Sequence, residues 1–197
     1  MAESDPQVIV LAGPNGAGKT TASPWLLRGA VGVRDFVNAD DIARGLSAFN
    51  PERVAVTAGK LMLRRLRELA SANENFAFET TLATRVFAPW LKELMARGYS
   101  FHLLFLYLPD AQTAVDRVAR RVIEGGHSVP EETIRRRYDA GLRNFFELYK
   151  PIAMTWRMYN GSTRPPYRLI AKSVTGGPVV IRDRPIWERL EQQYGKP

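Results

Sequence analysis

Eight consecutive residues near the start of the chain have the types and spacing of a loop that binds phosphate. They read Gly13-Pro14-Asn15-Gly16-Ala17-Gly18-Lys19-Thr20, with Thr21 next, and fit the pattern G-x-x-x-x-G-K-[ST]. Glycines lack a Cβ, so the backbone can curl tightly and aim its N–H groups at a polyphosphate. In such a loop the Lys19 ammonium reaches the β- and γ-phosphates, and the Thr20 hydroxyl is a ligand for Mg²⁺. The run therefore predicts a site for a nucleoside triphosphate.

Three carboxylates follow or end apolar runs further along the chain. Asp40 and Asp41 come after the second predicted strand, and Glu79 ends the third, just before Thr80 and Thr81. The carboxyl ends of strands in an open α/β sheet face the ligand crevice. Asp40 there could accept the proton of an attacking hydroxyl, with Asp41 in a lesser role, or it could simply cap the next helix. Glu79 could bind substrate hydroxyls or support Mg²⁺. Alternatively, Glu79 has no functional role, and Thr80 or Thr81 caps the helix that follows.

Basic residues cluster in the second half of the chain. The arginines in question are Arg117, Arg120, Arg121, Arg135, Arg136 and Arg137. Guanidinium groups match phosphoryl oxygens in pairs of hydrogen bonds and stay charged at cellular pH. Because Gly125 and Gly126 interrupt the two basic stretches, residues 117–138 are predicted to form a lid that closes on the nucleotide and excludes water. At least half of these arginines are expected to be ordinary solvated surface.

Hydrophobic patterns predict the elements that position these residues. Near-continuous apolar runs predict strands at 7–12, 35–38, 75–79, 101–108 and 154–159. Helical periodicity predicts helices at 19–28, 40–46, 51–72, 83–97, 111–124 and 130–150. A hairpin at 167–182, turning at 175–178, and a helix at 185–194 complete the chain. The alternation predicts a three-layer α/β fold with a central, mostly parallel five-stranded sheet, an arginine-rich helical lid and a small C-terminal hairpin.

Composition limits the class of protein. The 197 residues, 45% of them hydrophobic, suit one globular domain spanning 1–197. Zero cysteines exclude disulfides and thiolate metal sites and fit a cytoplasmic location. The acidic N-terminus is not a signal peptide, and no apolar run is long enough for a membrane span. The net charge of +8 suits an anionic partner, but the arginines lack the interleaved aromatic residues typical of nucleic-acid binding.

Absent motifs narrow the class of phosphate-binding protein. The loop is like that of ABC transporter ATPases, but no Leu-Ser-Gly-Gly-Gln-like segment follows it. The chain also has no Asn-Lys-x-Asp guanine reader and no apolar strand ending in Asp-Glu, the mark of motor ATPases. The remaining class is a compact phosphotransferase.

The combined motifs resemble the zeta toxin family, in particular its short bacterial zeta-like branch. They are the phosphate loop, Asn-Ala-Asp-Asp-Ile-Ala at 38–43, Phe-Glu-Thr-Thr at 78–81, and the basic segments at 117–130 and 134–138. The resemblance covers about residues 7–159. It implies a P-loop kinase fold and ATP–Mg²⁺-dependent phosphorylation of UDP-N-acetylglucosamine or a related small molecule. It also implies the toxin role in a toxin–antitoxin pair, with an antitoxin protein as partner.

The resemblance also assigns roles to residues of this chain. It implies that Asp40 is the general base and that Glu79, with Thr80, binds substrate. Arg120 and Arg136 are the favoured phosphate-gripping arginines, while Arg121, Arg135 and Arg137 stay open and Arg117 is assigned to the nucleotide. The chain has Glu-Thr-Thr where zeta toxins have Glu-Gly-Thr, which bears on the sugar-nucleotide pocket.

Two other functions stay open from the sequence. One is an ATP-binding regulatory or interaction protein without transfer activity, which would tolerate Asn in place of Asp40. The other is a kinase acting on nucleic-acid ends, which would bind oligonucleotides with a steep dependence on salt.

Overall fold

A computed structural model describes residues 5–28, 32–175 and 177–195. Its sheet has seven strands in the order β2-β3-β1-β4-β5-β6-β7. They are β1 (Gln7–Ala12), β2 (Asp35–Val37), β3 (Phe76–Thr80), β4 (Ser100–Tyr107), β5 (Thr155–Asn160), β6 (Arg168–Val174) and β7 (Val180–Ile181). Strands β1 to β5 pair in parallel, so their carboxyl ends share one edge of the sheet.

The helices lie where hydrophobic periodicity predicts them, with short irregular turns at two ends. They are α1 (Lys19–Leu26), α2 (Ala39–Leu46), α3 (Ala55–Ser71), α4 (Phe87–Ala96), α5 (Ala111–Ile123), α6 (Glu131–Asn144) and α7 (Arg184–Tyr194). A 3₁₀ turn, Pro51–Val54, precedes α3, and a π turn, Phe145–Tyr149, follows α6. The predicted helices 51–72 and 130–150 each therefore contain two kinds of helical backbone.

The core lies on both faces of the central strands. Val8, Val10 and Leu11 of β1 are fully buried, as are Phe101 and Leu103 of β4. These near-continuous apolar strands need helices on both sides, because alternating polar positions are absent. The layered core holds the carboxyl edge of the sheet in place for the loops that follow it.

The C-terminal hairpin extends the main sheet, so the sheet has seven strands where five were expected. Strand β6 pairs antiparallel with β5, with Arg157 opposite Lys172, and β7 pairs antiparallel with β6. The pairing satisfies the edge of β5, which would otherwise leave a row of unpaired backbone groups. Hairpin periodicity alone does not indicate which strand edge accepts the hairpin. Part of the predicted turn, Gly176, lies outside the described residues.

Among the helices of the described ranges, none has both the length and the apolar character that crossing a membrane requires.

Candidate active site

The phosphate-binding loop joins β1 to α1 through conformations that favour glycine. Gly13 and Gly16 have φ angles of 145° and 76°. A Cβ on Gly13 would overlap the Leu106 carbonyl oxygen, and one on Gly16 would lie 3.0 Å from the Ala114 carbonyl oxygen. The loop therefore packs directly against β4 and α5 and has no room for side chains at these two positions.

Helix α1 begins with free backbone donors above this loop. Its N-cap residue, Gly18, has a left-handed conformation and offers no side-chain cap. The first N–H groups of an α-helix have no partner within the helix, and the helix dipole favours negative charge at the same end. The start of α1 is thus chemically suited to a phosphate.

Lys19, the first residue of α1, has a buried ammonium group beside this space. It is 7% exposed, its Nζ donates to the Pro14 carbonyl oxygen at 3.0 Å, and it lies 3.6 Å from Oε1 of Glu79. Burial lowers the pKa of Lys19, while the carboxylates of Glu79 and Asp40 oppose that shift. A buried cation with one ion-pair partner is well placed to attract a polyphosphate.

Thr20 in the first turn of α1, Asn38 directly after β2 and Glu79 near the end of β3 form a hydrogen-bonded triangle. The Thr20 hydroxyl donates to Oε2 of Glu79 at 2.8 Å, and Nδ2 of Asn38 donates to the same oxygen at 3.1 Å. The Asn38 amide also lies 3.3 Å from the Thr20 hydroxyl. A hydroxyl and a carboxylate are hard oxygen donors, the kind that Mg²⁺ prefers alongside phosphates and water. The described residues hold no cluster of three or more His, Cys, Asp or Glu suited to a metal.

Asp40 lies in the first turn of α2, and a different residue caps that helix. Oδ1 of Asn38 accepts the Asp40 backbone N–H at 2.8 Å, so the capping role falls to Asn38. The Asp40 side chain is 46% exposed, and its Oδ2 lies 3.7 Å from Nε2 of His127. Asp41 instead pairs with Arg44 on the exposed face of α2. The Asp40 carboxylate is therefore available for chemistry with a bound molecule.

Two cavities meet at these residues. One of about 750 Å³ lies over the phosphate loop, and one of about 510 Å³ lies between α2, α3, the end of β3 and α6. Both are lined by Asn15, Lys19, Asp40, Pro51, Glu52, Glu79, His127 and Ser128. The shared wall brings the loop lysine and both predicted carboxylates to the boundary between the cavities.

The larger cavity, which we call the nucleotide cavity, is closed on one side by α5. Arg117 is held by the carbonyl oxygens of Gly161 at 2.8 Å and Gly16 at 3.4 Å, and NH2 of Arg121 donates to the His127 carbonyl oxygen at 3.1 Å. Within the described residues, Nε of Arg121 is a buried atom that has no hydrogen-bond partner. Because Arg121 also lines this cavity, its guanidinium is a candidate contact for an anionic ligand.

The smaller cavity, which we call the acceptor cavity, combines apolar and charged walls. Thr80 and Thr81 line it on one side, and Arg136 and Arg137 of α6 line it on another. Its apolar lining comes from Ala39, Ala43, Pro51, Ala55, Met62, Phe87, Val129 and Pro130. Burial lowers the pKa of the Arg137 guanidinium, and the nearby Asp40 carboxylate opposes this shift. The arrangement suits a molecule with both apolar and polar parts.

The structure places the predicted phosphate-loop residues in two groups. Asn15, Gly16, Gly18, Lys19, Thr20 and Thr21 line the nucleotide cavity together with Arg117. Gly13, Pro14 and Ala17 are buried within the loop, and the Pro14 carbonyl oxygen accepts a hydrogen bond from Nζ of Lys19.

The predicted lid arginines do not all face a cavity. Arg136 lines the acceptor cavity, whereas Arg120 is exposed and lies outside the walls of both cavities. Arg135 pairs with Glu131 at 2.7 Å. Arg121 and Arg137, which sequence reasoning left open, line the nucleotide and acceptor cavities respectively.

Sequence reasoning missed two polar residues of the site. Asn38 belongs to the Asn-Ala-Asp-Asp-Ile-Ala motif, in which the sequence assigns it no role, but in the structure it caps α2 and donates to Glu79. Glu52 lines both cavities, and its Oε1 accepts the Ser128 backbone N–H at 2.9 Å, which ties the lid connector to the start of α3. Glu52 follows Pro51 at the start of a helix, where acidic residues are common because they interact favourably with the helix dipole. The sequence therefore does not single it out as a site residue.

The chain matches known proteins in sequence and in fold. The family model described as Zeta toxin matches residues 1–155. An uncharacterized protein of Haemophilus influenzae is 24% identical over 132 residues, which cover 67% of this chain and 92% of that protein.

Solved structures with low sequence identity share the fold. The AvrRxo1-ORF1:ORF2 complex with ATP matches at a TM-score of 0.71 and 16% identity, over 95% of this chain and 64% of the matched chain. The chain thus spans slightly less than two thirds of that protein. A structure from the PezAT toxin–antitoxin system of Streptococcus pneumoniae matches at a TM-score of 0.64 and 18% identity, over 100% of this chain and 81% of the other. A structure of the Pnkp1/Rnl/Hen1 RNA repair complex matches at a TM-score of 0.53 and 20% identity, over 71% of this chain and 45% of the matched chain.

Proposed function

The chain belongs to the zeta toxin family of P-loop kinases, and we propose that it transfers the γ-phosphate of ATP to a hydroxyl of a sugar nucleotide such as UDP-N-acetylglucosamine. The observation that carries the proposal is the meeting of two cavities at Lys19, Asp40 and Glu79. Phosphoryl transfer needs a donor and an acceptor held in line on either side of one phosphorus atom. Two cavities that share Lys19 and the carboxylates of Asp40 and Glu79 support such an arrangement.

The proposed reaction assigns one proton acceptor. A hydroxyl in the acceptor cavity attacks the γ-phosphorus, the bond from that phosphorus to the β–γ bridging oxygen breaks, and ADP leaves. The Asp40 carboxylate takes the hydroxyl proton as the new phosphate ester forms. Because the Asn38 side chain caps α2, the Asp40 carboxylate is not the helix cap and can take the proton without breaking a capping hydrogen bond.

Mg²⁺ fits the donor set beside the phosphate loop. We propose that the Thr20 hydroxyl holds it, with Glu79 close by, while ATP phosphates and water complete the shell. When bound, the ion would neutralise charge that develops on the phosphate oxygens. Glu79 already accepts hydrogen bonds from Thr20 and Asn38, which orient its carboxylate for this purpose.

The lid supplies cations from two helices. Arg121 of α5 and Arg136 and Arg137 of α6 are proposed to contact the transferred phosphate, with Arg120 kept as a candidate if the lid rotates on closing. Guanidinium groups that meet charge in a water-poor site stabilise it more strongly than they do in bulk water. The contact between Glu52 and Ser128 supports a lid that closes against the acceptor side.

The acceptor cavity supports a medium-sized, amphipathic acceptor. Its volume of about 510 Å³ lies within the range of small-molecule sites, roughly 300–1,000 Å³. Arg136 and Arg137 could bind an anionic group, Thr80 and Glu79 could bind hydroxyls, and Met62 belongs to an apolar wall. A nucleotide sugar carries all three features, whereas a simple sugar would leave the arginines without a partner.

The biological setting is a further part of the proposal. A structure from the PezAT toxin–antitoxin system shares this fold, and we propose that this chain likewise acts as a toxin whose partner is an antitoxin protein. We also propose a cytoplasmic location, where ATP is available to the reaction.

The test is a transfer assay with γ-labelled ATP and Mg²⁺. Candidate acceptors are UDP-N-acetylglucosamine, free nucleosides and a 5′-hydroxyl oligonucleotide. The last represents an end-directed kinase, an alternative favoured by the match to an RNA repair complex and the net charge of +8. We expect label in the sugar nucleotide with wild type, and labelling slower by roughly 10²–10⁴-fold with Asp40→Asn. Label only in the oligonucleotide would replace the proposed acceptor, and label in no acceptor would favour a regulatory ATP-binding protein.

A further inference from the structure

One wall of the acceptor cavity depends on a strained loop. Residues 81–86 connect β3 to α4, and Thr80, Thr81 and Phe87 at its two ends line the cavity. Leu82 is fully buried and has a φ of 56°, the left-handed region that a leucine rarely adopts. Such a conformation persists only where the surroundings hold it in place.

Helix α6 and the π turn after it hold this loop at three points. Gly141 lies so close to the Thr81 carbonyl oxygen that a Cβ would overlap it. The buried Asn144 donates from Nδ2 to the Leu82 carbonyl oxygen at 2.7 Å, and the Tyr149 hydroxyl donates to the Thr84 carbonyl oxygen at 2.8 Å. The hydroxyl is itself buried, which raises the pKa of Tyr149 to about 12 and keeps it a donor at any cellular pH.

The same helix face also forms the opposite side of the cavity. Thr133 and Arg137 line the acceptor cavity. Along α6, Thr133, Arg137, Gly141 and Asn144 follow one another at intervals of four, four and three residues. Residues at these spacings lie on one face of an α-helix. One rigid element therefore carries the cationic wall of the cavity and also clamps the loop that carries its threonine wall.

We propose that Asn144 is a positioning residue for the acceptor: its amide fixes the Leu82 carbonyl and thereby sets the distance between the Thr80–Thr81 wall and Arg137. Asn144 touches no part of the cavity itself, since it is not among its lining residues. Its effect should therefore fall on acceptor binding and leave nucleotide binding unchanged. Only the kinetic readout of this inference rests on the proposed kinase activity.

The chain offers a matched control on the same helix. The Tyr138 hydroxyl donates to the Leu108 carbonyl oxygen at 2.8 Å, also in a buried position, but that bond does not reach the 81–86 loop. Tyr138→Phe and Asn144→Asp each remove one buried donor to a backbone carbonyl with little change in volume, although the aspartate also adds a negative charge. The shorter Asn144→Ser serves if the aspartate variant does not fold.

The experiment has two readouts on the purified full chain. Hydrogen exchange of peptides covering 80–87 should become faster in Asn144→Asp and stay at the wild-type rate in Tyr138→Phe. With UDP-N-acetylglucosamine as acceptor, the acceptor KM should rise about tenfold to 100-fold in Asn144→Asp, the scale of an ångström-level misplacement, while the ATP KM stays within about twofold.

The outcomes separate this inference from the proposed function. Unchanged exchange at 80–87 in a folded Asn144 variant overturns the positioning role, as does an equal rise of the acceptor KM in Tyr138→Phe. If wild type transfers no phosphate to UDP-N-acetylglucosamine, the proposed acceptor fails. The exchange comparison, together with ATP hydrolysis as a check on the nucleotide side, then still decides whether Asn144 holds the loop.

Discussion

The two cavities that meet at Lys19 are built in different ways. The nucleotide cavity rests on one continuous loop whose backbone and helix start face the ligand, with Gly13 and Gly16 packed against neighbouring backbone. The acceptor cavity is assembled from side chains of α2, α3, β3 and α6. Backbone groups bind phosphate regardless of what else the ligand carries, whereas side chains from separate elements read shape and polarity. For the proposed transfer, the contrast predicts a constant donor site beside a selective acceptor site.

The largest expected effect sharpens this contrast at the acceptor side. Asp40→Asn keeps the size of the side chain but removes its ability to take a proton, so the transfer rate should fall by roughly 10²–10⁴-fold. ATP affinity should stay near the wild-type value or rise slightly as negative charge leaves the γ-phosphate. Single-turnover transfer at saturating ATP, with calorimetry for ATP binding, measures both.

A folded Asp40→Asn variant with the wild-type transfer rate would remove the general base from the mechanism. Asp41→Asn is the control, because Asp41 pairs with Arg44 on the exposed face of the same helix.

The second expected effect belongs to the nucleotide side. Lys19→Ala removes the buried ammonium that would meet the β- and γ-phosphates, so ATP affinity should weaken by about 1–3 kcal/mol, which is about fivefold to 150-fold. Calorimetry with ATP and Mg²⁺ measures the change, and near-ultraviolet circular dichroism confirms folding. Unchanged affinity would contradict the placement of the phosphates at this loop.

A third comparison divides the lid by the direction its arginines face. Arg121 lines the nucleotide cavity and Arg120, its neighbour, is exposed outside both cavities. Arg121→Ala should lower kcat by about tenfold, the scale of one charged hydrogen bond, and Arg120→Ala should stay within about twofold. The reverse order would mean that the lid rotates on closing and presents Arg120 to the phosphate.

The smallest expected effect concerns motion of the lid. In the connector 125–128, Gly125 and Ser128 are exposed and Gly126 and His127 are half-buried, and the bonds from Arg121 and to Glu52 help to hold it. Its amides should exchange more slowly once a non-hydrolysable ATP analogue and Mg²⁺ are added. Hydrogen-exchange mass spectrometry measures this, and identical exchange in the free and bound protein would rule out a closing lid.

The sequence predicts more of the residues that line the nucleotide cavity than of those that line the acceptor cavity. The phosphate loop is contiguous, so its strand, glycines and lysine can be read in one window, and Asp40 and Glu79 follow apolar runs that end at the same edge. The roles of Asp40 and Glu79 stay predictions. Which arginine faces a cavity depends on the rotation of α5 and α6, which a run of adjacent arginines does not encode.

Other features were out of reach because they depend on contacts between distant segments. Asn144 and Leu82 are 62 residues apart in the chain, and the bond between them has no local signal. The pairing of β6 with β5 has the same character, which is why five strands were expected where the sheet has seven.

The two-sided use of Asn38 links the chemistry of the two cavities. An amide side chain has an acceptor and a donor at the same reach, and here the acceptor end holds the start of α2 while the donor end holds Glu79 and Thr20. Mg²⁺ bound by Thr20 and Glu79 would compete with the Asn38 amide for these two side chains, and the same Asn38 side chain caps the helix that bears Asp40. Under the proposed reaction this shared residue would couple the two binding steps, and by reciprocity each ligand would change the affinity of the other by the same factor.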